Sequence, residues 1–406
     1  MLPSIPMFFI LVGLAAYIVL AGADFGAGFW TLVFSRKSDD RAKFGAYFHN
    51  AMGPVWEANH VWLIFILVVC WTAYPVAFAS ITSTLTVPIL ISAIGIIARG
   101  AAYALRGMAA GAYALRLDDR VFALASVMTP FALGATIGGI ASGRVPVGNA
   151  AGDLLTSWLN LTSSLIGALS IATSAYLSAV YLAADAWRRG DADMIRVFRK
   201  MAVRAGIVAG VLALSGLLVI RVDAQPIWNG LMTGLGACLL SISIASGFAT
   251  LALVSSYNFG LARISAALAV VTIVAGWAVA QQPRVLQNFS IREAAAGRST
   301  LIAVTISIVC GLILLVPSMA LLFGLFLKGR FDITPIVQIP MPRRPQENGS
   351  ILAISAVGSF LVGFVGTVFC SGWTQTLGVL CLCLFAVLAY LLAARPLDSD
   401  EKTPNS

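Results

Sequence analysis

Charge is scarce in this sequence. Of 406 residues only 11% are Asp, Glu, Lys or Arg and 59% are hydrophobic, whereas a soluble domain carries roughly 25% charged residues. With a mean hydropathy of +0.92, that shortage excludes a disordered, collagen-like or ordinary soluble chain. Histidine is nearly absent, with His49 and His60 alone, so a histidine-rich metal site is excluded. The six cysteines, Cys70, Cys238, Cys310, Cys370, Cys381 and Cys383, form no Cys-x-x-Cys pair and lie in or beside apolar runs. They read as small buried hydrophobes, not as a disulfide framework or a zinc site. The opening MLPSIP holds no Lys or Arg, and the apolar run behind it is too long for a cleaved signal, so it reads as a first membrane span. A phosphate-cradling glycine loop, a Walker motif and H-E-x-x-H are also missing.

What is present is length of apolar run. A helix rises about 1.5 Å per residue and needs roughly 20 apolar residues to cross the hydrocarbon layer. Eleven runs qualify, at 7–34, 48–73, 76–98, 121–141, 154–184, 203–222, 230–254, 262–281, 300–327, 351–369 and 376–394. No alternating strand pattern competes, and lipid requires the backbone to satisfy its own hydrogen bonds, so the fold class is all-α and polytopic. Residues 331–350 are proline-rich and read as a cytoplasmic linker. They separate a nine-span core (1–330) from a two-helix appendix (351–394) and a mobile polar tail (395–406). Two four-helix groups plus one peripheral helix is the packing expected for the core.

The net charge of +9 does not mark a nucleic-acid binder, because the basic residues punctuate the apolar runs. All but five of the 26 Lys and Arg fall in alternate loops and the tail; the exceptions are Arg144, Arg221, Arg284, Arg292 and Arg298. Basic residues favour the cytoplasmic side, which puts the N-terminus outside and the C-terminus inside. Arg99, Arg188 and Arg189 read as cytoplasmic interface anchors, and the segment 100–117 as lying along that interface.

Of seventeen acidic residues, only Asp24 and Glu57 sit well inside a span. A central Asp costs on the order of 3 kcal/mol to insert, so such a residue faces protein or water and usually has a role. Each acid stands ten residues from the cytoplasmic end of its helix, which sets both about 15 Å deep. Asn50, Gly53, Glu57 and His60 fall on one stripe of the second span, and Tyr17, Leu20, Ala21, Asp24 and Gly28 on one face of the first. Gly22 and Gly26 form a GxxxG spacing suited to close helix contact. Because loss of water disfavours a charged carboxyl, these acids can take up and release protons. A proton route through Asn50, Glu57, His60 and Asp24 is one reading, and a buried hydrogen-bonded lock between helices is the other. Trp56 and Trp62 flank the acid and read as packing residues. His49 and His60 share one helix, which is a poor basis for two-histidine haem ligation.

These residues carry a resemblance. Ala23-Asp24-Phe25-Gly26-Ala27-Gly28 and Pro54-Val55-Trp56-Glu57-Ala58-Asn59-His60-Val61-Trp62-Leu63-Ile64 resemble the signature of subunit II of cytochrome bd-type quinol oxidases. Ile97-Ala98-Arg99, Thr129-Pro130-Phe131, Gly134, Ala179-Val180-Tyr181-Leu182 and Leu315-Val316-Pro317 add weaker echoes, and the match covers about residues 7–330. The resemblance implies a non-haem subunit in a prokaryotic plasma membrane, packed on a haem-bearing subunit I that holds haem b, haem d and the quinol site. It implies proton-pathway roles at Asp24 and Glu57 and an association of Trp62 with oxygen entry. No catalytic, cofactor-binding or metal-binding residue is expected in this chain itself, and no nucleic-acid partner. The chain departs from the family at Ala21, where some members carry a further acid, and at Glu57, where others have Asp. The spans at 351–394 run past the family's usual end and read as cover for lipid-exposed surface or as a dock for a small accessory subunit. A proton-coupled secondary transporter and a purely structural scaffold are the alternatives.

Overall fold

A computed structural model describes residues 2–34, 56–105 and 112–327, with isolated positions between 355 and 384. Apart from those isolated positions the expected appendix lies outside the described residues, as do the linker, the tail, Asn50 and His49. The described chain is helical throughout its apolar runs: α1 (Ser4–Phe34), α2 (Trp56–Ala73), α3 (Pro75–Thr84), α4 (Thr86–Leu105), α5 (Ala112–Ala141), α6 (Leu161–Arg189), α7 (Ala192–Asp223), α8 (Gln225–Leu231), α9 (Gly234–Ser255), α10 (Phe259–Gln281), α11 (Ile291–Ala294) and α12 (Arg298–Leu327). A two-stranded antiparallel hairpin, β1 (Arg284–Leu286) and β2 (Phe289–Ser290), sits between α10 and α11. Among the described residues seven helices (α1, α5, α6, α7, α9, α10 and α12) are long and apolar enough to cross a membrane.

The expected continuous third span is broken. α3 and α4 meet at 84°, with Leu85 between them closing α3 through its N–H to the Ile81 carbonyl at 2.9 Å. Pro88 contributes. Its ring has no N–H for the Thr84 carbonyl and crowds it, which weakens the helix at this point, although Pro130 and Pro317 are carried inside α5 and α12. Two hydroxyls beside the break bond the chain's own loop: Gly148 N–H donates to Ser80 Oγ at 2.9 Å and Ala150 N–H to Ser83 Oγ at 2.8 Å. At the other end of α3, Pro75 occupies the first turn, where its missing N–H is tolerated. Tyr74 alone separates α2 from α3, its hydroxyl donating to the Pro3 carbonyl.

Two further boundaries move. Asn160 caps α6 by accepting from Ser163 N–H at 2.9 Å, so 154–160 are turns outside the helix. α6 then runs on to Arg189, past the expected end at 184. Gly190, left-handed at φ 70°, ends it, and Asp191 caps α7 by accepting from Met194 N–H at 3.0 Å. α7 therefore starts at Ala192, with Met194, Ile195, Phe198 and Met201 buried at helical spacing while Arg196 and Lys200 are exposed.

Sequential helices pack as neighbours, and α1 lies centrally, against α2, α5, α6 and α10. Glycine sets its distance from α6: a Cβ at Gly26 would overlap the Ser174 carbonyl, and one at Gly28 would overlap Ser126 on α5. The GxxxG spacing thus marks a real close approach. One apolar core joins α1, α6, α7 and α10 around Leu177, Val180, Phe198 and Phe259, and a second joins α1, α2, α3 and α12 around Tyr74, Leu85 and Leu286. By contrast α7 presents Ile207, Val211, Leu214 and Leu218 outward. Cys238 is buried as expected of a small hydrophobe, but Cys310 is exposed on α12.

Candidate functional site

Asp24 occupies the α1 face that holds Tyr17, Ala21 and Gly28, all buried. Its partner is Arg99 of α4, whose Nη2 lies 2.5 Å from Asp24 Oδ1, with both side chains 3% exposed. The same Nη2 donates to the Asp24 carbonyl at 3.3 Å. The guanidinium is held between two rings, 4.6 Å from the centre of Phe25 and 4.7 Å from that of Phe122, a placement favoured by the negative faces of aromatic rings. Reading Arg99 as an interface anchor is therefore corrected. α4 continues to Leu105, so Arg99 lies inside the helix and reaches inward to a carboxylate 75 residues earlier in the chain. The signal available in sequence was that this arginine interrupts a helix-forming run that continues beyond it.

His60 stands on α2 against α1, its ring edge-on to Tyr17 and Phe25 at 6.0 and 6.2 Å. Trp62 packs in the same place, on the cluster of Tyr17, Ala21 and Phe25 and edge-on to Phe65 at 6.3 Å. Asn59, 2% exposed, donates from Nδ2 to the Leu20 carbonyl at 3.3 Å and so ties α2 to α1 beside Asp24; it was not singled out from sequence as a site residue. Glu57 and Trp56 belong to α2, but their side chains, like Asn50, lie outside the described residues. Asp24, His60 and Trp62 thus come to one helix junction.

Several buried polar atoms at this junction have no hydrogen-bond partner among the described residues: Tyr17 Oη, Asp24 Oδ2, Asn59 Oδ1, Arg99 Nη1 and, on α5, Thr129 Oγ1. Buried polar groups are ordinarily satisfied by protein or water, so these atoms make the junction a polar patch within the bundle. A second buried acid escaped the sequence reading. Asp185 of α6 is 8% exposed and pairs with Arg188 at 2.9 Å and with Arg263 of α10. It was missed because α6 outruns its apolar stretch by a turn. At the opposite end of the bundle Arg144 forms a two-pronged pair with Asp223, at 2.7 and 2.8 Å, and Thr162 donates to the same carboxylate.

No group of three or more His, Cys, Asp or Glu side chains among the described residues could hold a metal ion. His60, the one described histidine, is packed by two rings at the α1–α2 junction.

Comparison with known proteins places these features. A cytochrome bd ubiquinol oxidase subunit 2 from Bacillus subtilis is 30% identical over 130 residues, spanning 32% of this chain and 37% of that relative. A second Bacillus subtilis chain, named for a cytochrome bd menaquinol oxidase, is 25% identical over 218 residues, 53% of this chain and 62% of its own length. Less than two thirds of either relative is thus spanned. The bd oxidase structure from Geobacillus thermodenitrificans shares the fold, with a TM-score of 0.68 and 24% identity, over 80% of this chain and 99% of the neighbour. The model of the family described as cytochrome bd terminal oxidase subunit II matches residues 2–326. The chain belongs to the cytochrome bd terminal oxidase subunit II family.

Proposed function

We propose that this chain is the non-haem subunit of a membrane quinol oxidase. It packs against a haem-bearing subunit I, where two quinols are oxidised and one O2 is reduced with four electrons and four protons to two waters. Haem b and haem d, held by that partner, supply the electron-transfer and oxygen chemistry. This chain's part is a proton route from the cytoplasmic side through Asn50, Glu57, His60 and Asp24. The observation that carries the reading is the cluster of buried polar atoms around the Asp24–Arg99 pair. In a bundle this apolar, polar atoms unpaired by protein are sites that water can occupy, and a file of water moves protons between titratable groups. Arg99 cancels the charge of Asp24, which lets an acid stand there at an acceptable cost.

Co-purification tests the assembly: a haem-bearing membrane partner should accompany this chain, with the b and d absorption bands confined to that partner. Glu57→Gln tests the route. A haem-replete complex with turnover lowered about tenfold or more supports it, that being a modest loss for removing a proton-transfer group. Normal turnover sinks it.

The Asp24–Arg99 pair also favours a second reading, in which the acids only lock helices together. That reading predicts unchanged turnover, or failed assembly, in both Glu57→Gln and Asp24→Asn. The transporter alternative gains little from the broken span, because Ser80 and Ser83 bond the chain's own loop.

A further inference from the structure

Five arginines stand at the end of the bundle that carries residues 143–160, the end the charge asymmetry assigns to the outside. The described acids there are already committed. Asp223 is paired with Arg144 and Thr162. Asp153 accepts from the N–H groups of Leu155 and Thr156 at 2.9 and 2.7 Å. Glu293 accepts from Ser290 N–H and Oγ at 2.8 and 2.7 Å, closing the capping box of α11. Arg221 lies over the ring of Trp228 at 5.6 Å. Arg292 and Arg298, both exposed, have no ion pair among the described residues, and they converge on one cavity.

That cavity, of about 660 Å³, lies between the start of α1 and the start of α12, with Leu2, Pro3, Leu301 and Ile302 completing its wall. Its lining combines two arginines with the apolar Leu2, Pro3, Leu301 and Ile302. The apolar part does not stop at the cavity. Ile302, Ile306, Val309 and Ile313 are exposed along α12 at spacings of four, three and four, which is one helix face running from the cavity into the depth of the membrane. On α1 the exposed Ile5, Phe8 and Val12 do the same from the other wall.

The geometry points to a site for an anionic phospholipid, with its phosphate between Arg292 and Arg298 and an acyl chain along the α12 stripe. Guanidinium groups match phosphate oxygens with paired, charge-assisted hydrogen bonds. A soluble anion would use the arginines and leave the apolar lining and stripe uncovered, whereas a phospholipid fits both. Since the local acids are spent on the protein's own backbone and on Arg144, the counter-charge comes from the bilayer.

The test uses the assembled oxidase in nanodiscs of equal parts phosphatidylglycerol and phosphatidylcholine, with retained lipid identified by native mass spectrometry. The wild type should keep phosphatidylglycerol in preference. Arg292→Gln with Arg298→Gln should lower that retention by roughly thirtyfold, at about a factor of five per arginine near a charged lipid surface. Arg221→Gln, at the same end but outside the cavity, should leave it unchanged; an equal loss there would reduce the effect to bulk charge and overturn the proposal. Equal retention of both lipids by the wild type would overturn it too, as would competition by inorganic phosphate as effective as that by the lipid. A photoactivatable phosphatidylglycerol on the wild type should label 292–302, whether or not the double variant assembles. Labelling confined to other segments overturns the site.

Discussion

Single residues matter most where charge is buried. Asp24 and Arg99 neutralise each other in a setting where either alone would be stranded, and removing one partner of such a pair costs about 3–5 kcal/mol. Asp24→Asn and Arg99→Gln should each lower the unfolding temperature of the purified complex. The double variant should lose clearly less than the sum; additive losses would show that the two are not coupled. If Asp24 also relays protons, the double variant should regain stability without regaining turnover, which separates lock from relay in one preparation. The acid was legible in the sequence because nothing else in the first apolar run is charged. Its partner was not, since periodicity speaks only of near neighbours and Arg99 stands 75 positions away. Asn59 was hidden for a related reason: its function is a bond to the backbone of another helix, which no spacing rule records.

Elements were read well where an apolar run is long and less well at their ends. Caps, not hydropathy, decided two of those ends: Asn160 delays α6, and Gly190 and Asp191 make its joint with α7. Two substitutions on long helices should behave oppositely. Gly26→Ala pushes a methyl into the Ser174 carbonyl on α6 and should cost about 1–3 kcal/mol or more, the usual penalty for overpacking. Gly210→Ala on α7 meets no atom within 4 Å and should be neutral or gain up to about 1 kcal/mol from helix propensity. Thermal unfolding of both variants checks the contrast. At the break, Ser83→Ala removes the acceptor for Ala150 N–H, and faster amide exchange at Ala150 with α4 unchanged is the expected result.

Across the whole molecule, the helical membrane architecture was legible from composition, and the family from two short strings on α1 and α2. What the sequence could not supply was the way α1 becomes the hub of the bundle, because that depends on small residues at Gly26 and Gly28 meeting Ser174 and Ser126. The polar end of the bundle has its own pH response. Backbone hydrogen bonds from Thr156 and Leu155 hold the Asp153 carboxyl below its ordinary range, and the Ser290 N–H does the same for Glu293. Groups whose folded values lie lower than their unfolded ones contribute fully above the ordinary carboxyl range, near pH 4, and lose that contribution as pH falls through the folded values. Amide exchange at Leu155, Thr156 and Ser290 should therefore stay slow at neutral pH, once corrected for its intrinsic pH dependence, and rise only in the acid range. A rise centred near neutrality would contradict the assignment.

The distance in sequence between Asp24 and Arg99 has a consequence for biogenesis. A ribosome adding roughly 5–20 residues per second needs several seconds to travel from one to the other. During that interval the carboxylate enters the bilayer, or waits beside the translocon, before its cation has been synthesised. Nascent chains stalled before residue 99 should thus be easier to strip from the membrane with alkali than those stalled far enough past it for Arg99 to have left the ribosome, and Asp24→Asn should erase the difference.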